Sequence, residues 1–346
     1  MTNKVYVLAP REDWIVDRFV NEWNADNDDI SVGSPAQADV IWLMADWCFD
    51  QLNPQLLASK KVITTIHHIV PEKFKVFDAE SKELARFVAR DKLTTVYHVP
   101  NRHTEAFIRP LTSKPIHVIP YWANNHIWRP TGTKGDIRKK YGLSETEYLV
   151  GSFQRDTEGS SILLGPNEFL PKIEKGPKEF VQYVVKLSQQ RSNVAVLLAG
   201  WRRHYVIQQL TQAKRQGSQF QLYIDVGECP RRGNFEPFND VEFGKPTWIK
   251  TPTPKDLPSQ IMLNEYYQCL DLYPVTAWHE GGPQSLIEAG LLGVPVVSRD
   301  IGIASQVLPS SAIADDVSTA IPTIPHVEHL KLPLGYLPYR ELIQSL

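Results

Sequence analysis

Two glutamates, Glu280 and Glu288, stand in the stretch WHEGGPQSLIEAGLLGVPVVS at residues 278–298, and their positions suit them to hold a polar ligand. Glu288 is the only charge among Leu286, Ile287, Ala289, Leu291 and Leu292, a set that belongs against a sheet. A carboxylate in such company is costly unless donors reach it. Paired hydroxyls, such as those of a ribose, are suitable donors; a buried arginine is the competing partner. Gly281 and Gly282 leave backbone N–H groups at a helix start open to an anion. Glu280 falls at the end of the preceding strand, where ligands of open α/β sheets bind, or else it serves only the helix dipole.

The elements that must position these residues follow from local signals. Residues 269–275 form an apolar run that reads as a strand, the glycine pair makes a sharp turn, and Pro283 suits the first position of a helix. Gly293 is the expected helix stop, and Pro295 prevents continuation before a strand at 296–298. The result is a βαβ unit.

Earlier strands are expected at 5–9, 39–44, 61–66, 94–99 and 116–119, with helices near 14–23 and 81–90. Strands at 147–153 and 193–200 and helices at 177–190 and 202–215 continue the alternation, which argues a doubly wound, mostly parallel sheet. Length supports two domains: residues 1–130, a linker at 131–145, a second domain at 146–330, and a tail at 331–346 able to return to the first. Residues 226–259, rich in Pro, Gly and charge, read as long loops.

Several further side chains sit where strands end. His67 and His68 follow the third strand, where a histidine can hydrogen-bond a sugar hydroxyl or a backbone carbonyl; facing water is the alternative. Arg155 follows the strand at 147–153, and Lys172 and Lys175 precede the next helix. A fork-shaped guanidinium with an ammonium can neutralise a diphosphate, or both can be ordinary surface cations. Gly200 ends the strand at 193–200, and Trp201 beside it is either near a ligand or packing.

Glu280, Gly281, Gly282, Glu288, Ala289 and the run GVPVV resemble the E-x7-E element of the retaining GT-B glycosyltransferases, closest to glycosyltransferase family 4 (group 1). The resemblance implies an α/β GT-B fold, two Rossmann-like doubly wound domains facing a central cleft. It implies that Glu288 holds the nucleotide ribose, with Gly281, Gly282, Gln284 and Gly200 also on the donor. Glu280, His67, Arg155 and Lys175 would face the reacting sugar and phosphates, with His68 and Lys172 as rivals.

The residues Thr65, Ile66 and His67 match the family's threonine, apolar residue, histidine pattern, and Pro120, Trp128 and Pro130 match its crossover segment. The chain departs from the family in three places: Gly281-Gly282-Pro283 replaces glycine-phenylalanine-glycine, Ala9-Pro10-Arg11-Glu12 replaces a glycine loop, and Arg155 and Lys175 are unusually far apart. The implied partners are a nucleotide-sugar donor and a glycan, glycolipid or small-molecule acceptor. An epimerase or phosphorylase of the same fold, or a non-catalytic nucleotide-sugar-binding protein, are the rival functions.

Composition narrows the field. A net charge of −2 gives no sign of the basic face that nucleic acid requires. Residues 59–114 hold eleven Lys/Arg against six Asp/Glu, and Lys60, Lys61, Lys73, Lys75, Lys82, Arg86 and Arg90 offer either a basic face for an anionic acceptor or peripheral membrane contact, or a solvated surface. Cys48, Cys229 and Cys269 show no metal or disulfide spacing. Neither a divalent metal nor a cofactor is implied. Without a signal segment or membrane-length apolar run, the expected location is cytoplasmic.

Overall fold

A strand buried at successive positions, rather than at alternate ones, is covered on both faces, and most strands here are of that kind. The computed structural model describes residues 2–12, 15–74, 81–158, 169–200, 202–225, 247–248 and 259–346, with backbone alone at 72–73 and 247–248. The chain divides into two compact units. The first holds Met1–Trp122, His279–Gly282 and Leu332–Leu346; the second holds Ala123–Trp278 and Pro283–Lys331. Among the described residues no helix is long and apolar enough to cross a membrane.

In the first unit, strands β1 (Val5–Leu8), β2 (Val40–Leu43), β3 (Lys61–Thr65), β4 (Val96–Val99) and β5 (Ile116–Val118) lie side by side in that order, all parallel. A bridge between Val5 and Ser31 adds a contact on the far edge of β1. The chain therefore leaves β1 to one side, then crosses back to place β2 on the other. That reversal makes the sheet doubly wound, with its switch point between β1 and β2.

Helix α1 (Ile15–Asp26) buries Val16, Phe19, Val20 and Trp23, one face at helical spacing. Helices α2 (Pro54–Ala58), α3 (Pro71–Phe74), α4 (Lys82–Asp91) and α5 (Arg102–Ile108) follow. Ser81 caps α4 and Asn101 caps α5 through their side-chain oxygens.

An aromatic cluster closes this unit. Trp23 meets Trp42 edge-on at 5.2 Å between ring centroids, and Tyr339 stacks on Trp42 at 5.3 Å. The Tyr339 hydroxyl donates to the Pro120 carbonyl at 3.1 Å, and Arg340 pairs with Asp29 at 2.6 Å.

The second unit carries β6 (Tyr148–Ser152), β7 (Val194–Ala199), β8 (Gln221–Asp225) and β9 (Thr247–Trp248) in that order, and β10 (Tyr273–Val275) paired with β11 (Val296–Ser298), all parallel. The Gly151 N–H donates to the Leu272 carbonyl at 3.0 Å, joining β10 to the free edge of β6. The switch point of this sheet thus lies between β6 and β10. Its helices are α6 (Lys134–Lys140), α7 (Pro177–Gln190), α8 (His204–Arg215), α9 (Gln260–Cys269), α10 (Gln284–Leu291) and α11 (Ala304–Val307). The final helix, α12 (Leu337–Ser345), packs in the first unit.

Some local expectations change. Residues 131–145, read as a linker, include α6, which Arg138 fastens to the second unit through the Cys269 carbonyl at 2.7 Å and Asp271 at 2.7 Å. The apolar run at 269–275 is not all strand. Ser259 caps α9, which continues to Cys269 before the chain turns into β10.

In the basic stretch, Arg90 is buried against Asp46 at 2.7 Å and so does not belong to an open cationic face, whereas Arg86 is exposed and donates to the Trp47 carbonyl at 3.0 Å. Lys75, Cys229, Trp201 and most of the loop stretch at 226–259 lie outside the described residues.

The stop of α10 is a Schellman motif. The Val294 N–H reaches the Ala289 carbonyl at 2.9 Å, the Gly293 N–H reaches Gly290 at 3.3 Å, and Gly293 has φ of +69°. A Cβ on Gly293 would meet nothing within 4 Å, so the cost of adding one is purely conformational. Gly293→Ala should therefore destabilise the protein by about 1 kcal/mol, read from the midpoint of urea unfolding.

Candidate functional site

In the second unit the candidate residues gather at the carboxyl ends of β6, β7 and β10. Glu288, on α10, is 9% exposed, so its carboxylate needs donors from the protein or from a ligand. The phenols of Tyr267 on α9 and Tyr273 on β10 lie within electrostatic reach of it. The rings of Tyr267 and Tyr273 lie 5.2 Å apart and both pack on Phe153, at 4.9 and 5.5 Å. The Tyr273 oxygen accepts the Phe153 N–H at 3.2 Å. Burial, with the Tyr273 and Glu288 charges second, pushes the Tyr267 phenol far above its ordinary value, so it remains a proton donor. Gln284 opens α10, half-buried.

Arg155 sits in the loop after β6, and that loop is locked to the segment after β7. Gly200 has φ of +99°, and a Cβ there would come 3.0 Å from the Phe153 carbonyl oxygen. The N–H groups of Asp156 and Thr157 both reach the Arg202 carbonyl at 3.1 Å. Arg203, fully buried, places Nε 3.1 Å from Asp156 and donates from Nη2 to Ser152 Oγ at 2.9 Å. Burial, opposed by Arg203, raises the Asp156 carboxyl to about 6.

Two lysines share the segment before α7. Lys172 pairs with Glu174 at 2.7 Å and with Glu158 at 3.7 Å. Its ammonium is held below the ordinary lysine value by burial first, and further by the charge of Arg155, against the pull of Glu174. Arg155 and Lys172 are therefore close enough to feel each other. Lys175 is tied in by its backbone, whose carbonyl accepts from Gln154 Nε2 at 2.8 Å.

The same segment is fitted to the end of β10. Gly176, at φ of +60°, would drive a Cβ to 1.9 Å from the Thr276 oxygen, and Thr276 Oγ1 donates to the Gly176 carbonyl at 2.8 Å. The Trp278 N–H donates to the Glu174 carbonyl at 2.9 Å.

Glu280, Gly281 and Gly282 group with the first unit. The Gly281 carbonyl accepts a short hydrogen bond from Asn101 Nδ2, and a Cβ on Gly281 would lie 2.2 Å from the His67 carbonyl oxygen. Gly282 lies under the Tyr121 ring, 2.8 Å from where its Cβ would be. Glu280 is half-buried between them and Trp278 in sequence.

His67 is fixed at both ring nitrogens. Nε2 lies 2.8 Å from the Met44 carbonyl, which can only accept, so Nε2 carries the proton and Nδ1 accepts a short bond from the Tyr121 hydroxyl. Burial keeps this imidazole neutral by lowering its pKa. His68 is half-buried beside it.

Asn101, Tyr121, Tyr267, Tyr273 and the Asp156–Arg203 pair were not singled out from sequence. Asn101 carries a readable signal, an asparagine at the start of a helix pattern. The tyrosines look like ordinary core residues until the fold sets their hydroxyls against Glu288 and His67.

No family model matches the sequence, and no curated protein does either. Solved structures do match in fold. The fold is that of the GT-B glycosyltransferases, an α/β architecture of two Rossmann-like domains. Anabaena HepE in complex with UDP superposes with a TM-score of 0.57 at 13% identity, over 99% of this chain and 89% of that one. HepE with UDP and glucose gives 0.56 at 14% identity, over 90% and 84%. Sucrose-phosphate synthase from Thermosynechococcus elongatus gives 0.52 at 17% identity, over 98% and 76%.

Three histidines, His98 and His204 buried and His67 half-buried, set an acid limit. Burial lowers His67, lowers His98 to about 3, and lowers His204 to about 4. The unfolded chain binds protons at these groups first, so the stability they contribute is present above about pH 6.5 and is lost as pH falls below it. Each should contribute a slope of up to about 1.4 kcal/mol per pH unit. Urea midpoints should drop between about pH 7 and pH 5, and His98→Gln should reduce that drop.

Proposed function

We propose that this chain is a retaining glycosyltransferase that moves a sugar from a nucleotide-sugar donor to an acceptor hydroxyl in glycan or glycoconjugate synthesis. The observation that carries the reading is the buried carboxylate of Glu288 at the switch point of the second sheet, with Arg155 and Lys172 on adjoining loops. That combination suits a ribose diol beside a diphosphate. The resemblance around Glu280 and Glu288 supports the same reading, as does the likeness in fold to glycosyltransferases.

In this mechanism Glu288 accepts hydrogen bonds from the ribose hydroxyls, while Arg155 with Lys175 or Lys172 neutralises the departing nucleoside diphosphate. The bond from the anomeric carbon to the phosphate oxygen breaks with its electron pair going to the phosphate. The acceptor hydroxyl attacks on the same face and passes its proton to that phosphate. Glu280 and the amides after it face the donor sugar, Gly200 and Gln284 lie toward the nucleotide, and His67 orients the sugar end. The nucleotide sugar is the substrate, and no separate cofactor is called for.

The HepE structures hold UDP and glucose, or UDP alone, so UDP and UDP-glucose are the first ligands to try. Thermal unfolding against nucleoside diphosphates and their sugars should reveal one that raises the melting temperature, because a ligand of the folded state stabilises it. Glu288→Ala should weaken that ligand at least about a hundredfold, the loss of two hydrogen bonds to a charged acceptor. Unchanged affinity in calorimetry would remove Glu288 from the site. His67→Ala should lower turnover more than donor affinity; full activity there, with loss in His68→Ala, would reassign the role.

A further inference from the structure

A cavity of about 290 Å³ in the second unit is lined by α7, the ends of β10 and β11, and residues 315–317. None of Glu288, Arg155, Lys172, Lys175 or Gln284 lines it, so it is separate from the residues assigned to the donor. Its volume falls at the small end of ligand pockets, which start near ~300 Å³.

Both cations in the lining are paired. Lys186 Nζ lies 2.6 Å from Asp316 and 3.2 Å from Ser318 Oγ. Arg299 donates a short bond to the Asp315 carbonyl and a second, at 3.3 Å, to the Asp315 carboxylate. The polar groups that remain are mostly acceptors. Glu179 is half-buried and has no hydrogen bond or ion pair among the described residues, and neither has Gln182. Thr276 Oγ1 gives its proton to the Gly176 carbonyl at 2.8 Å and keeps only lone pairs.

This inventory selects a ligand. An anion would meet an unpaired carboxylate and two neutralised cations, and an apolar molecule would strand Glu179 and Gln182. A molecule with several hydroxyls satisfies the acceptors. Trp278 adds an apolar surface for its carbon skeleton. The Arg299 guanidinium lies 3.6 Å from the centroid of that ring, and the Trp278 N–H is held by the Glu174 carbonyl at 2.9 Å, yet the residue is 42% exposed. A large ring held still in water offers contact area at little entropic cost. The cavity is also preformed, because Asp316 accepts from the Ser318 N–H at 3.1 Å and from Ser318 Oγ at 2.6 Å while it anchors Lys186 of α7.

We propose that this cavity is a second saccharide site, which takes a neutral sugar unit with its hydroxyls on Glu179 and Gln182 and its ring against Trp278. The site stands whether or not Glu288 holds a ribose. One consequence rests on the glycosyltransferase reading: a glycan acceptor gains a second hold on the enzyme, which raises its effective concentration.

The test is saturation-transfer NMR of the full chain with glucose, galactose, mannose, N-acetylglucosamine, maltose and cellobiose. The sugar that binds is then titrated into wild type, Glu179→Ala, Gln182→Ala and Glu280→Gln, with thermal unfolding as the check on folding. Glu179 and Gln182 lie off the buried face of α7, so both alanine variants should fold. Glu179→Ala should weaken the sugar at least about tenfold, the loss of a charged acceptor, and Gln182→Ala should weaken it less. Inorganic phosphate and pyrophosphate should not displace it.

Binding of none of these sugars at millimolar concentration would overturn the proposal, as would wild-type affinity in both alanine variants. Loss in Glu280→Gln alone would put the sugar in the donor site instead. Displacement by phosphate or pyrophosphate would mark an anion site and equally overturn it. A sugar lost with Glu179→Ala in a chain that binds no nucleotide would sustain this site while the donor-site reading fell.

Discussion

A carboxylate held nine-tenths out of water must be met by donors, and in this protein Glu288 makes that demand at the centre of the second unit. The phenols of Tyr267 and Tyr273 lie within electrostatic reach of it, and the Phe153 N–H donates to the Tyr273 oxygen. The two strands that flank the switch point, β6 and β10, are thereby joined beyond their own backbone pairing. The rings of Phe153, Tyr267 and Tyr273 crowd one spot there, their volume filling the core while the two hydroxyls bring polarity into it.

Close backbone approach is the second constraint. Gly176 meets Thr276 and Gly281 meets His67 at distances that leave no room for a side chain, and Gly200 meets Phe153 in a tight contact. In all three cases a loop at the carboxyl edge of a parallel sheet is brought against a neighbour within its own unit. His67 illustrates the consequence in the first unit. With Met44 and Tyr121 on its two ring nitrogens, its tautomer is set by the protein and not by solvent.

Charge was the poorest guide. The excess of Lys and Arg at residues 59–114 allowed either a basic face or a solvated surface; of its members Arg90 is buried against Asp46 in the segment after β2, while Arg86 is exposed and donates to the Trp47 carbonyl there. Arg138, in the stretch read as a linker, is buried and bonded to carbonyls around the start of β6 and the end of α9. Composition counts charges but does not pair them. Residues far apart in sequence decide whether a guanidinium faces water or a carbonyl, and that decision requires the fold.

From the sequence alone came the parallel α/β alternation, the βαβ unit around 278–298 with its stop at Gly293, and the isolation of Glu288 among apolar residues. These are local properties: periodicity, turn chemistry and a charge out of place are written within a few residues of one another. The tertiary structure alone decided that Tyr267 comes within electrostatic reach of Glu288, that Lys172 comes within reach of Arg155, and that Asn101 anchors Gly281. Those pairings join residues from 17 to 180 positions apart in the chain. Hydrogen bonds and charge interactions act over a few ångströms, so such partners exist only once the sheets have set the strand order and brought the loops to a common edge.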